Sequence, residues 1–225
     1  MPFSLRLLDL VLPRRCAACG GGEELLCGAC HAALRRLEGP LCARCGAPAA
    51  WPVERCRECA GRRIPFASAR AAVAYDGTAR PLVSAWKERG LRPLAREFSA
   101  LVVETVPRPP VEELAFVPGD PDRSLKRGQN AAEALARELA LRWELPVRGL
   151  LVRAKPARPQ RGLSREERRR NVRGSFAAAG APAARIALVD DVYTTGATVA
   201  AATTELRRAG ARLVHVVTFA RAVRR

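Results

Sequence analysis

Lysine is almost missing from this chain: Lys87, Lys126 and Lys155 are the three among 225 residues, so the 39 basic residues are nearly all arginine. Genome composition can produce such a bias as readily as function. Acids are also scarce, 22 against 39, and the net charge of +17 points to a polyanionic partner, with a merely solubilising surface as the other reading. Aromatics make up 5% of the residues, which argues against a binder that relies on base stacking. Trp51, Trp86 and Trp143 could each stack on a ligand or pack inside. No apolar run approaches the roughly 18 residues that would suggest a membrane span. The opening segment PFSLRLLDLVLP is short and broken by Arg6 and Asp9, unlike a signal peptide. It reads as an amphipathic helix packing Leu5, Leu8, Val11 and Leu12, and the expected location is cytoplasmic.

Cysteine is absent after Cys59. All eight cysteines fall in four C-x-x-C pairs: Cys16/Cys19, Cys27/Cys30, Cys42/Cys45 and Cys56/Cys59. One such pair presents two thiolates to one metal, and two pairs complete a tetrahedral site. The segment therefore resembles a double zinc ribbon holding up to two structural Zn2+. Sequential pairing (Cys16, Cys19, Cys27, Cys30; then Cys42, Cys45, Cys56, Cys59) is favoured over the interleaved alternative by the turn residues Gly20–Gly22 and Gly46–Pro48. His31 could stand in as a ligand, but beside a full thiolate set it reads as a surface or packing residue. Eight thiolates leave no open coordination position, so a catalytic zinc is not expected. A redox pair is a weaker reading when all four share one spacing.

Ile186–Thr198, IALVDDVYTTGAT, runs an apolar strand into two carboxylates and a hydroxyl-rich turn. Ile186–Val189 reads as a buried parallel strand with Asp190 and Asp191 at its carboxyl end, where ligands of open α/β sheets bind. Paired carboxylates can accept hydrogen bonds from a cis-diol or help hold a hydrated Mg2+. Thr194, Thr195, Gly196, Ala197 and Thr198 open a helix expected over Ala197–Arg208, whose first N–H groups would face an anion. A lone N-cap would explain one acid, but not the pair together with three threonines about a glycine. The stretch resembles the PRPP-binding signature of type I phosphoribosyltransferases. That resemblance implies that Asp190 and Asp191 hold the ribose hydroxyls and Thr194–Thr198 the 5-phosphate.

The remainder alternates strands (Ala71–Tyr75, Leu114–Val117, Val147–Val152, Leu213–Phe219) with helices (Arg80–Arg89, Leu94–Val103, Asn130–Arg142). This pattern predicts a mostly parallel sheet with helices on both faces. The organisation expected is residues 1–62, an N-terminal helix and double zinc ribbon, and 63–225, an α/β domain. Pro107, Pro109 and Pro110 mark a loop inside it rather than a linker. Val117–Asn130 follows a strand and enters a helix, and by the resemblance it lies on the pyrophosphate side. Gly119 would permit strained backbone there, and Lys126 and Arg127 would meet phosphate oxygens; a surface loop capped by Asn130 is the plainer reading. Arg158–Phe176 carries seven arginines up to Arg173 and two acids. It reads as a loop with a short helix around Ser164–Arg170, capped by Ser164 and Glu167. It would either close over PRPP or contact nucleic-acid phosphates.

Together the C-x-x-C pairs, Trp86–Lys87, RGQN, the spacing of Gln160, Leu163, Ser164, Arg168 and Asn171, and LVDDVYTTGAT resemble the ComF (ComFC) family of competence proteins. One departure is VPGDP at Val117–Pro121, where that family commonly reads VPVP. The resemblance implies a type I phosphoribosyltransferase-like fold and a role in natural transformation, handling incoming single-stranded DNA. Arg165, Arg168, Arg169, Arg170 and Arg173 are the candidate DNA contacts, and Mg2+ would accompany PRPP. A DNA-uptake helicase and a recombination mediator are the implied protein partners. The alternative is an active enzyme transferring phosphoribosyl from PRPP to an acceptor that the sequence does not identify.

Overall fold

A computed structural model of the chain describes residues 15–120, 130–154 and 174–223. The expected N-terminal helix, Lys126, Arg127 and the arginines from Arg158 to Arg173 lie outside them, as does the Ser164 cap. The strands are β1 (Ser68–Ala74), β2 (Glu113–Phe116), β3 (Val147–Arg148), β4 (Leu151–Arg153), β5 (Phe176–Ala178), β6 (Arg185–Tyr193) and β7 (Leu213–Arg221). The helices are α1 (Gly28–Ala32), α2 (Ala79–Glu88), α3 (Leu94–Thr105), α4 (Ala131–Trp143) and α5 (Ala197–Arg208).

Five strands form one sheet in the order β1-β7-β6-β2-β3, every pairing parallel. Period-2 alternation assigns side chains to its two faces. Ala187, Val189, Val217 and Phe219 pack with α2, α3 and α4, whereas Ile186, Leu188, Val214 and Val216 pack with α5. Much of the scarce aromatic content lies on the first face, where Phe98 stacks on Phe219 at 3.7 Å and meets Trp86 edge-on at 5.0 Å. The run β2-α4-β3 winds outward in one direction and β6-α5-β7 in the other. The strand order thus reverses between β2 and β6, which opens the ligand crevice of a doubly wound sheet at their carboxyl ends.

The thiol-rich segment straddles the β1 edge of the sheet. Residues between its two halves cross that edge antiparallel to β1, through Leu37 N–H to Ala72 O (2.9 Å) and Ala74 N–H to Arg35 O (2.8 Å). Ala17, Leu26 and Leu34 of the first half join the α2–α4 core, and Cys42, Cys45, Cys59, Ile64 and Phe66 join the α5 side.

Two expectations need correction. Val147–Val152 is not one strand: at Gly149 the chain leaves the parallel sheet, and Leu151–Arg153 pairs antiparallel with β5 instead. The signature strand does not stop at Val189. It carries Asp190, Asp191, Val192 and Tyr193 because β7 continues beside it, pairing Asp190 with Thr218 and Tyr193 with Arg221. The β2 partner does end at Val189, so the acids stand beyond its edge in the crevice. Asn130 is the N-cap of α4 and accepts from Ala132 N–H, as the capped-loop reading expects.

Candidate functional site

The two thiol clusters assemble as sequential pairs. Cys16, Cys19, Cys27 and Cys30 form one group, and Cys42, Cys45, Cys56 and Cys59 the other, with ligand atoms within 4.8 Å of one another in each. Tetrahedral zinc with Zn–S bonds of about 2.3 Å demands sulfur separations of about 3.8 Å. Cys19–Cys27 lies at 3.8 Å, Cys42–Cys59 at 3.9 Å and Cys45–Cys56 at 3.5 Å, and none of the eight is in a disulfide. Backbone N–H groups point at sulfurs, from Gly21 to Cys19, Cys27 to Cys16 and Cys56 to Cys42. Burial pushes thiols up, yet such N–H groups outweigh it at Cys16 (about 6) and Cys42 (about 7). Burial prevails at Cys45, at about 11, and at Cys30, at about 12. Sulfurs this crowded cannot all ionise alone, and a bound cation removes that conflict; the residues fit structural zinc. His31 lies outside both groups, its ring nitrogens each 3.5 Å from Arg36.

In the crevice, Asp190 and Asp191 are half-buried on β6, and Asp191 N–H donates to Asp190 Oδ1 at 2.9 Å. Lys87 Nζ reaches Asp191 Oδ2 at 2.6 Å. Trp86, fully buried, fixes the end of α2 and so aims the next residue across the site. Burial and then the Asp191 charge raise Asp190 from the usual carboxylate range to about 7, against the pull of Lys87 and Arg153. Burial would lower Lys87, but the charge and hydrogen bond of Asp191 outweigh it and its pKa is raised. Arg153 braces the facing loop with bonds to Gly119 O and Pro118 O, both 3.3 Å, and lies 4.9 Å over the Phe176 ring. Gly119 does not adopt a left-handed φ, so the freedom expected of it is not used.

Downstream, Gly196 is the N-cap of α5 with φ 73°, and Ala197 N–H donates to Thr195 Oγ1 at 3.4 Å. The first-turn N–H groups of a helix lack intrahelical partners and favour an anion. Thr194, Thr195 and Thr198 surround this end, so the structure brings all seven ribose-phosphate candidates together at the switch crevice. Gly196 is needed twice over, for its φ and because a Cβ there would collide with the Tyr193 hydroxyl and ring.

Sequence reading missed three groups. Lys87 belongs to the Trp86–Lys87 motif, but nothing in the sequence pairs it with Asp191. Arg153 carries no sequence signal, since its role comes from the break at Gly149. Arg62 gives a bond from Nη2 to Thr195 O at 2.9 Å across 133 positions, which no local pattern foreshadows.

Two crowded four-cysteine groups beside a parallel sheet with helices on both faces define the class: a parallel α/β fold with an N-terminal double zinc ribbon. The family described as "Double zinc ribbon domain" matches residues 7–60. The chain is similar to "Competence protein F" of Haemophilus influenzae, 28% identical over 224 residues, spanning 92% of this chain and 97% of the relative. It is also similar to "DNA utilization protein YhgH", 27% identical over 223 residues in Escherichia coli K12 (92% and 96%). Among solved structures, the glutamine PRPP amidotransferase of B. subtilis superposes with a TM-score of 0.37 at 19% identity, over 64% of this chain and 28% of that one. Adenine phosphoribosyltransferase of Leishmania tarentolae gives 0.33 at 14%, over 61% and 74%.

Proposed function

We propose that the protein binds a ribose 5-phosphate unit, as PRPP or a related sugar phosphate, and handles single-stranded DNA in the cytoplasm during DNA uptake in natural transformation. The observation that carries the first half is the acid pair Asp190–Asp191 beside the left-handed Gly196 at the start of α5. Carboxylates suit a cis-diol, and a helix N-terminus suits a phosphate. Mg2+ would accompany PRPP, with Lys126 and Arg127 toward its pyrophosphate. The names of the relatives, which speak of competence and DNA utilization, support the second half. So does the net charge of +17, because phosphate contacts supply most sequence-independent affinity.

Arg165, Arg168, Arg169, Arg170 and Arg173 would contact the DNA backbone, with a DNA-uptake helicase and a recombination mediator as protein partners. Trp86 and Trp143 are buried, which leaves Trp51, 68% exposed on the second ribbon, as the tryptophan open to a base. Residues 1–62 and 63–225 would be the two units. No helix of the described residues is long and apolar enough to cross a membrane.

Titration calorimetry with Mg-PRPP tests the sugar-phosphate site: Asp190→Asn with Asp191→Asn weakens binding at least tenfold, and unchanged affinity overturns the assignment. A second reading, phosphoribosyl transfer to an acceptor, draws support from Asp190, a carboxyl poised near neutrality in a cleft. Pyrophosphate release from PRPP on adding an acceptor base would establish it.

A further inference from the structure

Arg221 ends β7 with its side chain 1% exposed, an unusual place for a guanidinium. Nη1 donates to Cys45 O at 2.6 Å, and Nη2 reaches Cys45 Sγ at 3.5 Å and Glu58 Oε2 at 3.0 Å. Its plane covers the Tyr193 ring, 4.6 Å from the centroid, and Phe66 meets the same ring edge-on. The hydroxyl of Tyr193 lies against Gly196, the glycine that opens the phosphate loop. A second route runs parallel: Arg62, directly after the second ribbon, donates Nη1 to Glu58 O and Nη2 to Thr195 O. Glu58 thus stands at the root of both routes, between the ligands Cys56 and Cys59. The first cluster sends no comparable bond to this loop among the described residues.

We propose that Arg221 and Arg62 are positioning residues that tie the second four-cysteine cluster to the Thr194–Thr198 loop. The metal held by Cys42, Cys45, Cys56 and Cys59 therefore shapes the phosphate end of the crevice, while that of the first cluster does not. The inference rests on the ribose-phosphate reading only for its functional meaning; the mechanical link stands on the contacts alone. Backbone carbonyls are ordinarily satisfied within secondary structure, so a side chain that holds Thr195 O from another unit fixes the loop rather than the helix. A ribbon that has lost its metal would release Glu58, and with it both arginines.

Amide hydrogen exchange of the full, zinc-loaded protein tests this without any ligand. Arg62→Ala, a half-buried position, is expected to speed exchange at Thr195–Val199 at least tenfold while β2 and α4 exchange as in the wild type. Cys56→Ser, which removes one ligand of the second cluster, does the same, and Cys19→Ser, at the exposed edge of the first, leaves the loop within twofold. Arg221→Gln adds the buried route where it folds, and Arg62→Ala decides the question where it does not. Loop exchange unchanged in Arg62→Ala and Cys56→Ser, or an equal response to Cys19→Ser, overturns the link. Failure of the wild type to bind Mg-PRPP would overturn the sugar-phosphate reading and leave this result standing on its own.

Discussion

Replacing Gly196 by alanine should cost about 2–5 kcal/mol, in two parts. Alanine held at φ 73° must occupy the left-handed region that glycine adopts freely, at about 1–2 kcal/mol. The added methyl then meets the Tyr193 ring, which is 3% exposed and held between Phe66 and Arg221, so overpacking adds about 1–3 kcal/mol. For a chain of this size that lowers Tm by roughly 4–20 °C. Urea unfolding followed by circular dichroism reads the cost directly, and a double-mutant cycle separates its parts. In a Tyr193→Ala background the collision is gone, and Gly196→Ala should cost about 1–2 kcal/mol from backbone strain. A loss below about 1 kcal/mol in the wild-type background, or no coupling to Tyr193, would refute the claim that this glycine is fixed by both conformation and space.

Three further outcomes follow from the same geometry. Asp190 holds its proton to about pH 7 in the folded chain but to about 3.8 when unfolded, so the fold loses stability as pH rises from 4 through 7 and bears the full cost above it. Binding a sugar diol through the ionised carboxylate reverses that trend: Mg-PRPP affinity should climb between pH 6 and 8 in the wild type relative to Asp190→Asn, and parallel profiles would contradict it. Lys87→Met strands Asp191 and should destabilise by roughly 1–3 kcal/mol in thermal unfolding, between an exposed and a fully buried pair; an unchanged Tm would show that the pair contributes nothing. Metal analysis should give two zinc ions per chain and one for Cys56→Ser, and well under one for the wild type would contradict the ribbon assignment.

Much of the frame was legible because it is periodic or rigidly spaced. Four C-x-x-C pairs leave little freedom, and helix α5 runs over Ala197–Arg208 as the TTGAT turn foretold. What failed locally failed for tertiary reasons. A strand is expected to end at paired aspartates, yet β7 extends far enough to keep Asp190 to Tyr193 paired and hold them in the sheet. Val147–Val152 reads as one apolar strand, but β2 is short and offers partners only to Val147 and Arg148, so the chain turns at Gly149 into a second sheet. Lys87, Arg62 and Arg221 act on groups 104, 133 and 176 positions away in sequence. Pattern reading has no means to pair such residues, and in a chain this rich in arginine the two that matter look like the rest.

The measurement that reaches the central claim most directly is fluorescence anisotropy of a labelled single-stranded oligonucleotide with the zinc-loaded protein across a salt series, with and without Mg-PRPP. Binding should fall steeply with salt and be displaced by Mg-PRPP, which would put sugar phosphate and DNA on one surface. No binding at low salt would contradict it.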